Sequence, residues 1–85
     1  MILYPRQGSL VFVRWKDAAG FFVRRAGDSD CPLDPLEAET VGWIFKRTRQ
    51  NLYVACERLP ADYVDRYRGT TRIPIGWITE IVKIA

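Results

Sequence analysis

The stretch TRIPIGWITEI, Thr71–Ile81, decides the fold. Thr71, Arg72 and Ile73 favour extended backbone, whereas Pro74 lacks the N–H that an interior ladder position must donate. A strand ending on proline is therefore an edge strand, or one that is leaving its sheet. Gly76 permits a tight turn, and Trp77 and Ile78 open a second apolar run. There Thr79, Ile81 and Lys83 alternate with Glu80, Val82 and Ile84. A chain that ends one strand, turns once and resumes as another is rounding the corner of a small barrel. The fold class expected is all-β, a strongly bent antiparallel sheet or partly open barrel of about five strands with two long loops.

The segments upstream supply the other strands. Ser9–Trp15 (SLVFVRW) places Leu10 and Phe12 on one face and Val11, Val13 and Trp15 on the other. Asp17 to Gly20 form a turn, and Phe21–Arg25 (FFVRR) is a short second strand ending before Gly27. Asp28–Glu39 holds two prolines and five acidic residues and reads as a loop, with one helical turn at Pro35–Glu39. Glu39–Arg47 is the next strand, with Val41, Trp43 and Phe45 on one face and Gly42 marking a bulge or a close backbone approach. Thr48–Asn51 closes a hairpin into Leu52–Arg58, and Leu59–Gly69 is a second long loop, with or without a short helix.

Eighty-five residues make a single domain, one that gains from a subunit interface because its own core is small. The net charge is +3, and ten of the thirteen basic residues are arginine, which suits forked contact with carboxylate or phosphate. The charge is unevenly spread. Residues 28–40 carry five acids and no base, whereas residues 41–85 carry eight bases and four acids. An acidic patch between basic ones weakens a continuous nucleic-acid stripe. Cys31 and Cys56 have no metal-ligand spacing, there is no histidine, and both thiols are expected to be reduced in a cytosolic setting. Nothing reads as a signal peptide or a membrane span, so no membrane partner is expected.

The corner Arg72–Ile81 resembles the end of Src-homology-3-type barrels, where a strand ends in Ile-Pro, makes one helical turn and re-enters as the last strand. The remainder lacks that family's peptide-binding residues, so binding of proline-rich peptides is not implied. A broader resemblance runs through VRWKDA (Val13–Ala18), TVGWIFK (Thr40–Lys46), LYVACE (Leu52–Glu57) and the corner itself. In that order they look like a family of small phage and prophage proteins of largely unassigned function. The resemblance covers most of the chain apart from Asp28–Glu39. It implies a bacteriophage origin and the cytoplasm of an infected bacterium.

The residues argue against catalysis. No Ser–His–Asp or Cys–His set, glycine-rich phosphate loop or telling carboxylate pair is present, and the acidic run lacks calcium-loop spacing. No metal, cofactor or catalytic residue is expected. The constellation with chemistry is Tyr63–Arg72, where tyrosine can stack on a base, arginine can fork to phosphate and threonine hydroxyls can hold sugar or phosphate oxygens. The candidate ligand-binding residues are Trp15, Asp17, Arg24, Arg25, Tyr67, Arg68, Thr70, Thr71 and Arg72. Trp15 is expected nearest the ligand, with Trp43 and Trp77 structural. The competing reading is a surface loop whose tyrosines pack on the barrel rim.

Three functions follow. The first is a phage counter-defence sponge, a homo-oligomer that sequesters a small nucleotide signal, with two copies of one loop cradling a cyclic dinucleotide across a symmetry axis. The second is a nucleic-acid-binding small barrel. The third is a protein-binding inhibitor of a host enzyme that uses the acidic loop 28–39 as bait.

Overall fold

A computed structural model describes residues 3–17 and 36–85. Five strands form one antiparallel sheet: β1 (Leu10–Asp17), β2 (Leu36–Arg47), β3 (Asn51–Arg58), β4 (Tyr67–Pro74) and β5 (Ile78–Lys83). Their spatial order is β4-β3-β2-β1-β5. The two edge strands are thus consecutive in sequence, joined only by a 3-10 turn at Ile75–Trp77. Opposite edges of a sheet can be joined by three residues only if the sheet curls until those edges meet at one corner. This is the strongly bent sheet or partly open barrel expected from the sequence, and Pro74 closes an edge strand as its missing N–H requires.

Every strand contributes to the interior. Val11, Val13 and Trp15 from β1 meet Ile44 of β2, Leu52 and Val54 of β3, Ile73 of β4 and Ile78 of β5. The alternation set by the two-residue period puts Leu10, Phe12 and Arg14 on the outside, so β1 is apolar on both faces although only one lines the core. The Trp15 indole N–H donates to Thr40 Oγ1 at 3.0 Å, and its ring stacks on Trp77 at 6.3 Å between centroids. That stack ties the corner to the first strand.

Glycine is required at Gly42 and Gly69, and at Gly8, which adopts φ +91°. A Cβ on Gly42 would run into the Ala55 carbonyl and the Val54 side chain, because the paired strand β3 lies so close beside β2 there. Of the bulge or close backbone approach expected at Gly42, it is the close approach, the register shift lying further on between Ile44 and Lys46. Gly69 adopts φ +65° within β4, facing Cys56 Sγ. Gly76, by contrast, has open space around it and no positive φ; the corner turns through 3-10 geometry.

Two boundaries differ from the sequence reading. Leu36–Glu39 is the start of β2 and not a helical turn, because it pairs in register with β1 from Arg14↔Glu39 to Asp17↔Leu36. Glu37 and Glu39 point out while Ala38 and Thr40 are half-buried, a two-residue alternation that the flanking prolines obscure. Likewise Tyr67–Gly69 belongs to β4 and not to a loop, since Tyr67 pairs with Arg58 and Arg68 with Glu57. The loop is shorter, 59–66, and it is closed by Leu59 N–H donating to the Arg66 carbonyl and by Arg66 Nε donating to the Leu59 carbonyl. The expected strand Phe21–Arg25 and the first part of the acidic run, 28–35, lie outside the described residues.

Candidate functional site

The hairpin β2–β3 is set by Thr48, whose Oγ1 accepts the N–H of Asn51 at 3.0 Å while its own N–H donates to the Asn51 carbonyl. That turn fixes Lys46 opposite Tyr53, and the β3–β4 register places Arg72 on the other side of the same tyrosine. Lys46, Tyr53 and Arg72 therefore form one row across three paired strands on the outer face, a half-buried ring between two exposed cations. Lys46 Nζ lies 5.4 Å from the ring centroid, within cation–π range. Arg72 has no ion pair among the described residues.

A bulge between Ile44 and Lys46 rotates Phe45 into the same aromatic neighbourhood. Its ring meets Tyr53 edge-on at 5.8 Å and stacks on Tyr67 at 5.6 Å. The next row across the strands is Trp43, Ala55 and Thr70. Trp43 is half-buried, and the Arg58 guanidinium sits 5.0 Å from its ring. Arg66 lies 5.6 Å from Tyr67. Three half-buried rings on neighbouring strands thus each hold a cation of their own. Residues 43–74, which build this region, contain seven Lys or Arg and three Asp or Glu.

The residues singled out from sequence divide into three groups. Tyr67, Arg68, Thr70, Thr71 and Arg72 lie together, but on the edge strand β4 and with alternating sides. Arg72 and Thr70 share the outer face with Tyr53, whereas Thr71 is half-buried opposite Val54. Arg68 forks onto the Glu57 carboxylate directly across the ladder. Trp15 and Asp17 are elsewhere, on β1. Trp15 is only 8% exposed and its N–H is used internally, so the ring belongs to the core, unlike the ligand-facing place expected for it. Trp43 is the tryptophan on the outer face. Arg24 and Arg25 fall outside the described residues.

Sequence reasoning missed Phe45, Lys46, Tyr53 and Arg58. The signal was the hairpin: counting outward from the turn at Thr48–Asn51 pairs Lys46 with Tyr53, but beyond them the bulge at Phe45 shifts the register and hides which side chains meet.

The acidic residues of β2 occupy different ground. Glu37 and Glu39 stand at the far end of β2, opposite Lys16 and Arg14. Arg14 bridges Glu39 at 3.8 Å and Glu80 at 3.7 Å, a solvated arrangement worth little to stability. The Cys56 thiol is exposed and unbridged. Among the described residues no group of Cys, Asp or Glu could hold a metal ion, and no helix is long and apolar enough to cross a membrane. Compared with known proteins, the chain matches no family model, no curated protein and no solved structure.

Proposed function

We propose that the chain binds nucleic acid along the outer face of β2, β3 and β4, as a non-enzymatic binding protein. The observation that carries this reading is the row Lys46–Tyr53–Arg72, with the rings of Phe45, Tyr67 and Trp43 around it. Cations neutralise phosphate and exposed aromatic faces accept bases; the two together on one sheet face suit a nucleic-acid backbone and its bases at once. The acidic run counted against this reading at the sequence level. Its described members, Glu37 and Glu39, lie at the other end of β2 beside their own basic partners.

A small-nucleotide sponge ranks below it. Of the residues that reading relies on, Tyr67, Arg68, Thr70, Thr71 and Arg72 lie along one edge strand with alternating sides, and Arg68 is tied to Glu57. The inhibitor reading rests on the acidic run, most of which lies outside the described residues. In the phage setting implied by the resemblance, a nucleic-acid binder would act on phage or host strands in the infected cell.

The test is fluorescence anisotropy of a short labelled oligonucleotide between about 50 and about 200 mM salt. Log affinity should fall linearly with log salt, with a slope of roughly −2 if Lys46, Arg58 and Arg72 each neutralise one phosphate of a single strand. Absence of binding, or a flat slope, would overturn the proposal. Salt-insensitive, tight binding of a mononucleotide or cyclic dinucleotide would restore the sponge.

A further inference from the structure

Resting on the nucleic-acid reading, we infer that the ligand is a single strand that crosses the β-strands, with one base stacked on Tyr53 and its flanking phosphates held by Lys46 and Arg72. Three features of the face lead there. Lys46 and Arg72 stand on either side of Tyr53 in one cross-strand row, so their backbones are two strand spacings apart, about 9–10 Å. Both side chains are long and exposed, and either can reach outward from the sheet to a phosphate on its own side of the ring. Between them only the tyrosine rises from β3, because the next outer residue along that strand is Ala55, which is fully buried.

The ring is also held ready. Phe45 packs against Tyr53 edge-on and fixes its orientation, leaving the face toward Lys46. In the free protein the Lys46 ammonium covers that face at 5.4 Å. An exposed cation–π contact is weak, so an arriving base can displace the ammonium, which then moves to the neighbouring phosphate. The site thus exchanges one intramolecular contact for a base stack and an ion pair. A duplex could offer its phosphates to the two cations, but its bases are already stacked and cannot cover the tyrosine. Every base has an aromatic face, so this contact is tolerant of sequence.

The experiment compares three probes on the intact chain, a thymidine oligonucleotide, a duplex of the same length and an abasic strand of the same length and charge, and repeats the measurements with variants. Wild-type protein should bind the thymidine strand about tenfold more tightly than the abasic strand, and more tightly than the duplex. Tyr53→Leu, which keeps an apolar side chain at the position, should lose about tenfold on the thymidine strand with an unchanged salt slope. It should bind the abasic strand as wild type does. Tyr53→Phe should retain binding, and Lys46→Ala should lower the slope by about 0.7 while keeping the preference for bases. Equal affinity for thymidine and abasic strands, or a preference for the duplex, would overturn the single-strand inference while leaving salt-dependent binding intact. Failure of all probes to bind would remove the underlying reading as well. The abasic comparison uses wild-type protein and so holds even if the leucine variant does not fold.

Discussion

A methyl group at position 42 would sit against the Ala55 carbonyl oxygen and the Val54 side chain. Backbone cannot swing aside as a surface side chain can, so Gly42→Ala should destabilise the chain by about 1–3 kcal/mol, read as a lower urea midpoint. An unchanged midpoint would mean that β3 does not approach β2 so closely. The Glu57–Arg68 pair gives the opposite kind of test, a residue that restrains function. Both side chains are about half exposed, so their bridge adds little stability. It does hold the Arg68 guanidinium against a carboxylate beside the proposed face. Glu57→Gln should leave the melting temperature nearly unchanged, tighten oligonucleotide binding and steepen the salt slope by about 0.7, as one more cation becomes able to meet phosphate. The double variant Glu57→Gln with Arg68→Ala should lose that gain; persistence of the gain would show that Arg68 is not its source.

At the scale of elements, the corner was legible because proline and glycine act through backbone rules that hold in any context. Leu10 to Trp15 was legible as a strand through its run of branched and aromatic residues, but not which of its apolar faces would be covered. The acidic start of β2 was hidden, since glutamate is a poor strand former and only pairing with Arg14–Asp17 holds it extended. Tyr67–Gly69 was hidden likewise, a glycine at φ +65° being an ordinary mark of a loop. The candidate site suffered most, because it is assembled from three strands and depends on register at a bulge. A test at this scale is Thr40→Val, which removes the acceptor of the Trp15 indole N–H. It should cost about 1–3 kcal/mol in denaturant unfolding, as a part-buried donor is left unpaired. Thr40 faces the interior, so nucleic-acid affinity should not change; a loss of binding in a folded variant would argue that the inner surface takes part.

The whole molecule carries two different outer surfaces on one curled sheet. Over β5, β1 and the first half of β2, Val82, Phe12 and Val41 stand in a row beside Glu80, Arg14 and Glu39, where charges of both signs meet. Over the second half of β2, β3 and β4, rings alternate with cations and carboxylates are few. This division follows from β2, which is long enough to belong to both halves and changes character at Gly42. If function lives in the second surface, a ligand should disturb it and spare the first. The most direct measurement is a nuclear magnetic resonance titration of the isotopically labelled chain with a short thymidine oligonucleotide, following the backbone amides and the tryptophan indoles. Shifts should concentrate at Lys46, Tyr53, Arg72 and the Trp43 indole, with Phe12, Val82 and the buried Trp15 indole unmoved. Shifts centred on β1 and β5, or none at saturating oligonucleotide, would contradict the assignment of this face to nucleic acid.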